Sequence, residues 1–115
     1  MTRDEFNAEL KLEGGYRVMV RLLREDEGGR KTALSGEGEY RANWTFDSDD
    51  PSDQKGAPML IDADTLAPGA ESAASLIRLF PDSWPEVEVG ARLTAFEGRR
   101  RVAEAVVTHV LRSEP

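Results

Sequence analysis

Two stretches in the first quarter of the chain carry apolar residues at every second position. Phe6, Ala8, Leu10 and Leu12 interleave with Asn7, Glu9 and Lys11. A period of two puts apolar side chains on one face of a strand, so Phe6–Leu12 is predicted as strand. Gly14-Gly15 turns the chain, and Tyr16, Val18, Val20 and Leu22 then alternate with Arg17, Met19 and Arg21. That second strand ends at the charged turn Glu25-Asp26-Glu27-Gly28-Gly29 and could pair with the first as a hairpin. Tyr40, Ala42, Trp44 and Phe46 alternate with Arg41, Asn43 and Thr45, giving the strongest strand, its aromatic side facing a core. The polar run from Asp47 to Pro58 reads as a solvated loop. A short strand at Met59-Leu60-Ile61 follows, and Asp62 to Ser75 carries mixed signals because Pro68-Gly69 interrupts it. Leu76 to Phe80 reads as strand, and Pro81 and Pro85 bracket a loop holding Trp84. Gly90 to Phe96 and Val102 to Leu111, joined by Glu97-Gly98-Arg99-Arg100, form a final antiparallel hairpin. Many short strands with regular turns and no convincing amphipathic helix predict an all-β sandwich or barrel.

The 115 residues suit one domain with one core, and the 39% hydrophobic content with two Trp, two Tyr and four Phe can fill a small barrel. A net charge of -7 disfavours nonspecific attraction to nucleic acid or anionic lipid, since phosphate contacts require local cations. The absence of cysteine excludes a disulfide framework, thiolate zinc sites and thiol nucleophiles. No apolar run approaches a membrane span, and Met1-Thr2-Arg3-Asp4-Glu5 has no basic, apolar leader, so a cytoplasmic protein without membrane attachment is expected.

Two separated motifs carry a family resemblance. Asp26-Glu27-Gly28-Gly29-Arg30-Lys31-Thr32 is one; Gly90-Ala91-Arg92-Leu93 running into Val102-Ala103-Glu104-Ala105-Val106-Val107-Thr108 is the other. With Tyr40-Arg41-Ala42-Asn43-Trp44-Thr45-Phe46, Pro68-Gly69 and Leu76-Ile77 in the same order, residues 16–111 resemble the C-terminal β-barrel domain of translation elongation factor Tu. The resemblance implies a closed six-stranded antiparallel Greek-key barrel, with Phe6–Leu12 as an extra N-terminal strand. In the family this barrel follows a GTPase domain, helps grip the T stem of aminoacyl-tRNA and contacts the nucleotide-exchange factor. Positions that match the family's RNA-facing contacts are Arg30, Lys31, Asn43, Arg78 and Gly98, and Arg99, Arg100 and Arg101 would extend that patch. The chain departs from the family at Ala103 and Ala105, where glycines are favoured, and Glu104 sets a negative charge beside the patch.

No Gly-rich loop ending in Gly-Lys-Ser/Thr is present to cradle phosphates, so no GTP binding is expected of this chain. Arg and Lys in polar turns are commonly just solvated, and a Gly-Gly pair serves turn geometry. The acidic run Asp47–Asp53 offers oxygen ligands but lacks the glycine and terminal glutamate of a calcium loop. His109 stands without a second histidine or a cysteine to complete a site, and Glu86 and Glu88 share one face of a predicted strand without an opposed carboxylate. Trp84, beside Pro85, is a candidate for a partly exposed anchor. The expectation is therefore a non-enzymatic binding module with no cofactor and no metal. Docking to a protein partner, of the translation machinery or a bacterial regulatory system, is the leading expectation. Binding of a tRNA stem is the alternative.

Overall fold

Residues 1–46, 54–79 and 84–113 are described by the structure, a computed structural model. The acidic run 47–53, Phe80 and Pro81 lie outside the described residues. The elements in chain order are α1 (Arg3–Glu13), β1 (Gly15–Leu22), a 3-10 turn (Glu25–Glu27), β2 (Leu34–Ser35), β3 (Tyr40–Phe46), β4 (Lys55–Ile61), β5 (Thr65–Leu66), β6 (Glu71–Ile77), β7 (Arg92–Glu97) and β8 (Arg100–Leu111).

Six of the strands close a barrel in the order β1-β6-β4-β3-β7-β8, every neighbouring pair antiparallel. Of the all-β sandwich or barrel expected from the strand pattern, the barrel is observed, closed, six-stranded and antiparallel as the resemblance implied. The meander β3-β4-β6, with β7 returning beside β3, gives the Greek-key order. Closure leaves no barrel edge to recruit another strand. Strand β8 is long because it serves two partners, pairing with β7 from Arg100 to Val106 and with β1 from Ala103 to Leu111.

Alternation works inside the barrel as the sequence implied. Tyr16, Val18, Val20 and Leu22 point inward from β1, Ala42 and Trp44 from β3, and Val102, Ala105 and Val107 from β8, all in one core. The Trp44 indole Nε1 donates to the carbonyl of Ala57 at 3.0 Å, so the core's largest side chain brings no orphaned donor with it. Ala103 is buried as well as Ala105, while Glu104 between them points out to Arg21.

The N-terminal strand is corrected: Phe6–Leu12 lies in α1 and does not pair with β1. Phe6 and Leu10 satisfy a helical i, i+4 stripe as well as the period of two, and the ends decide between them. Thr2 Oγ1 accepts from the Glu5 amide at 3.1 Å and Glu5 Oε1 accepts from the Thr2 amide at 3.2 Å, a capping box. Asp4 and Glu5 in the first turn and Lys11 in the last complement the helix dipole. Gly14 then ends the helix at φ 76°, a conformation that a β-carbon disfavours. Only Phe6 is fully buried; it packs with Leu60 and Ile77, so α1 covers outward-facing apolar residues of β4 and β6. Leu12, assigned by the alternation to the apolar face of that strand, is 66% exposed.

Other boundaries shift as well. Lys55–Pro58, read as loop, belongs to β4, whose register with β3 runs from Tyr40↔Met59 to Trp44↔Lys55. Strand β6 begins at Glu71 rather than Leu76, because residues between the turn at Pro68-Gly69 and Leu76 pair with β1. Glu86 and Glu88 lie outside any strand. Trp84 is only 7% exposed and is not an exposed anchor. Its ring packs on Phe46 at 5.3 Å and Tyr16 at 5.7 Å, and its Nε1 donates to the Leu79 carbonyl at 2.8 Å. These three aromatics plug one end of the barrel, here called the aromatic end. The other, where β7 turns into β8 at Gly98, is the hairpin end.

Candidate functional site

At the hairpin end the chain after β1 makes a 3-10 turn, and Gly28 closes it at φ 88°. The following Arg30 folds back onto the barrel. Its Nη1 forms an ion pair with Glu97 Oε2, and the same carboxylate oxygen accepts from the Tyr40 hydroxyl. The guanidinium carbon sits 5.3 Å from the Tyr40 ring centre, and Nη2 and Nε donate to Thr32 Oγ1 and the Thr32 carbonyl at 3.0 and 3.3 Å. Burial pushes the Tyr40 hydroxyl's pKa far up, and its bond to Glu97 adds to this. Burial would raise the Glu97 carboxyl as well, but hydrogen bonds from Tyr40 and Arg30 outweigh that and hold it below the ordinary range. Arg30 is therefore engaged in an internal triad of charge, phenol and ring.

Lys31 points away, 77% exposed, with only a 3.8 Å ion pair to Glu25. Asn43 is exposed on the outer face of β3, opposite Gly56 on β4 and Phe96 on β7. Gly98 occupies the β7–β8 turn at φ 63°, and its carbonyl accepts from Gln54 Nε2 at 2.8 Å. Arg99 and Arg100 are exposed beside it. Arg78 is not with this group. It follows β6 at the aromatic end, its amide donating to the Gly14 carbonyl at 3.1 Å. The two ends are separated by the length of β8, up to roughly 36 Å for eleven residue steps of extended chain. The structure thus gathers Arg30, Lys31 and Gly98 near one end, leaves Asn43 on the wall, and puts Arg78 at the other.

Two features escaped the sequence reading. One is the outer wall of β1, where Met19 is 41% exposed and faces Val106 of β8, 37% exposed, across the ladder, with Ala73 of β6 on Met19's other side. The charges on either side of Met19 are already matched within the chain. Arg17 Nη2 contacts Asp62 Oδ2 at 2.6 Å, and Arg21 contacts Glu27 Oε1 at 3.0 Å and Glu104 Oε2 at 3.2 Å. The Arg21 bond, with a second from the Arg24 amide, holds the Glu27 carboxyl down to about 2. Alternation showed Met19 as outward, but could not show that β8 would set Val106 against it.

The other is a recess of about 180 Å³ at the aromatic end, between the start of β1, Arg78 and the end of β8. Tyr16 and Arg78 both line it, and both the Tyr16 hydroxyl and Arg78 Nε are buried without a hydrogen-bond partner among the described residues. Elsewhere, His109 is exposed with Nδ1 3.1 Å from Thr108 Oγ1 and no partner suited to acid–base catalysis among the described residues. Among the described residues no three His, Cys, Asp or Glu side chains gather as a metal site. No described helix is long and apolar enough to cross a membrane.

The class that the fold defines is a small closed antiparallel β-barrel. Neither a scan of protein-family models nor a search of curated proteins gives a match to this chain.

Proposed function

We propose that the chain is a non-enzymatic module that docks onto another protein through the outer wall of β1 and β8. The observation that carries this reading is the Met19–Val106 pair, apolar surface in an outward register, ringed by ion pairs. An apolar centre with a polar rim is the usual anatomy of a protein interface. Arg17 and Arg21 are already matched by carboxylates, which leaves Arg92 of β7, exposed opposite Val106, as the unpaired cation of this wall among the described residues; one cation is too few for a run of phosphates and suits a weakly charged protein surface. Two copies each carrying -7 would repel, so the partner is a different, less acidic chain. A partner in the translation machinery is the choice that the elongation factor Tu resemblance favours.

The test is a pull-down from cytoplasm after nuclease treatment, comparing the native chain with Met19→Glu/Val106→Glu and with Leu12→Glu, an exposed position on α1. A protein held by the native chain and Leu12→Glu but lost from the double variant supports docking through this wall. A partner retained by the double variant removes it.

Binding of a tRNA stem is a second reading, favoured by one observation: exposed Lys31, Arg99 and Arg100 lie towards the end where Gly98 turns. Arg30 contributes less than its position suggested, since Glu97 and Tyr40 engage it. Lys31→Glu/Arg99→Glu probes this reading without disturbing that triad. RNA affinity that falls steeply with salt and is lost in this variant would support it; affinity unchanged in the variant would exclude it.

A further inference from the structure

Buried polar atoms in folded proteins almost always have partners, because leaving one dry and unmatched costs free energy comparable to a lost hydrogen bond. At the aromatic end two such atoms occur together. Tyr16 is 1% exposed and its hydroxyl, the one polar atom of its side chain, has no partner among the described residues. Arg78 Nε is also buried and without one. Both residues line the same recess, with Arg112 following β8, Glu86, and the apolar walls Val87 and Val110. Arg78 and Arg112 have no ion pair within 4.0 Å among the described residues, in contrast to Arg17, Arg21, Arg24 and Arg30.

The composition of the recess selects its ligand. Among the described residues, two guanidiniums against the Glu86 carboxylate leave one net positive charge, which a monoanion neutralises, whereas a phosphate dianion would leave one negative charge uncompensated beside Glu86. A phenol O–H and a guanidinium N–H are donors suited to the oxygens of a carboxylate. Val87 and Val110 would flank an aliphatic stem. At about 180 Å³ the recess is well below the roughly 300–1,000 Å³ of drug-sized sites, so only a small group enters.

We propose that this recess is a binding site for a monocarboxylate on a short branched aliphatic stem, held by Arg78, Arg112 and Tyr16. The site is separate from the docking wall, and its assay involves no partner protein. The same chemistry is offered by a free short-chain acid and by the terminus of a peptide, so both are probed.

The experiment is an NMR titration of the full ¹⁵N-labelled chain with isobutyrate, isobutyramide, N-acetylvaline and inorganic phosphate. Expected are saturable shifts from isobutyrate at the amides of Tyr16, Arg78 and Arg112, and none from the neutral amide. Tighter binding of N-acetylvaline would assign a peptide terminus, and equal or weaker binding a free acid; either supports the site. Affinity should fall about tenfold in Arg78→Gln and about threefold in Tyr16→Phe, an isosteric change that keeps the ring packing. No saturable shift with either carboxylate overturns the proposal, as does phosphate binding tighter than both. Unchanged affinity in Arg78→Gln and Tyr16→Phe overturns it as well.

Discussion

The two tyrosines of this chain should respond oppositely to loss of their hydroxyls. Tyr16 carries a buried hydroxyl without a partner, whereas the Tyr40 hydroxyl is bonded to Glu97. An unmatched buried hydroxyl forfeits its hydration with nothing in return, a cost of about 1–3 kcal/mol. Tyr16→Phe removes that cost and leaves the ring, 5.7 Å from Trp84, in place. The expected result is stabilisation by about 1–3 kcal/mol, equivalent to roughly 4–12 °C in melting temperature for a domain of this size. Tyr40→Phe leaves the Glu97 carboxylate short of a donor, and destabilisation by about 1–2 kcal/mol is expected. Reversible urea unfolding of both variants and the native chain, monitored by tryptophan fluorescence and circular dichroism, gives the midpoints. The slopes should be unchanged, since the surface exposed on unfolding hardly differs. A Tyr16→Phe variant less stable than the native chain would refute the reasoning, because it would mean that ordered water already satisfies this hydroxyl. Coupled with the carboxylate titration, the same variant is expected to be more stable and to bind more weakly, the compromise typical of a site held ready for a ligand.

Two further outcomes follow from the ion pairs. Arg30→Glu should cost about 1–3 kcal/mol of stability, since it places a carboxylate against Glu97 and strips Tyr40 of its cation, while Lys31→Glu should change stability by less than about 0.5 kcal/mol; thermal unfolding separates them, and equal costs would refute the triad. Glu27, Asp62 and Glu97 all have carboxyls held below their ordinary values, Glu27 down to about 2. Their contribution is therefore complete above the ordinary carboxylate range and is lost as pH falls through the lowered values. Urea midpoints should drop between about pH 4.5 and 2, less steeply in Glu27→Gln, and a native chain equally stable at both limits would contradict these pairings.

What the sequence determined by itself was the barrel wall. Alternation in Tyr16–Leu22 and Tyr40–Phe46 depends only on neighbouring residues, and burial of one face follows from it wherever the strand ends up. The first segment misled because Phe6 and Leu10 fit both periods, although Thr2-Arg3-Asp4-Glu5 already spelled a capping box. The elongation factor Tu resemblance, for its part, named Arg30, Lys31, Asn43, Arg78 and Gly98 as candidates for contact. Which of them stand together, and which are engaged, was decided by tertiary structure alone. Glu97 is distant from Arg30 in sequence, and only closure of β7 against β3 brings its carboxylate to Arg30 and Tyr40. The Met19–Val106 pair depends on the β1–β8 register, and the recess depends on Tyr16, Arg78 and Arg112 arriving from three different strand ends. Such contacts arise from loop closures between distant segments, and no local periodicity encodes them.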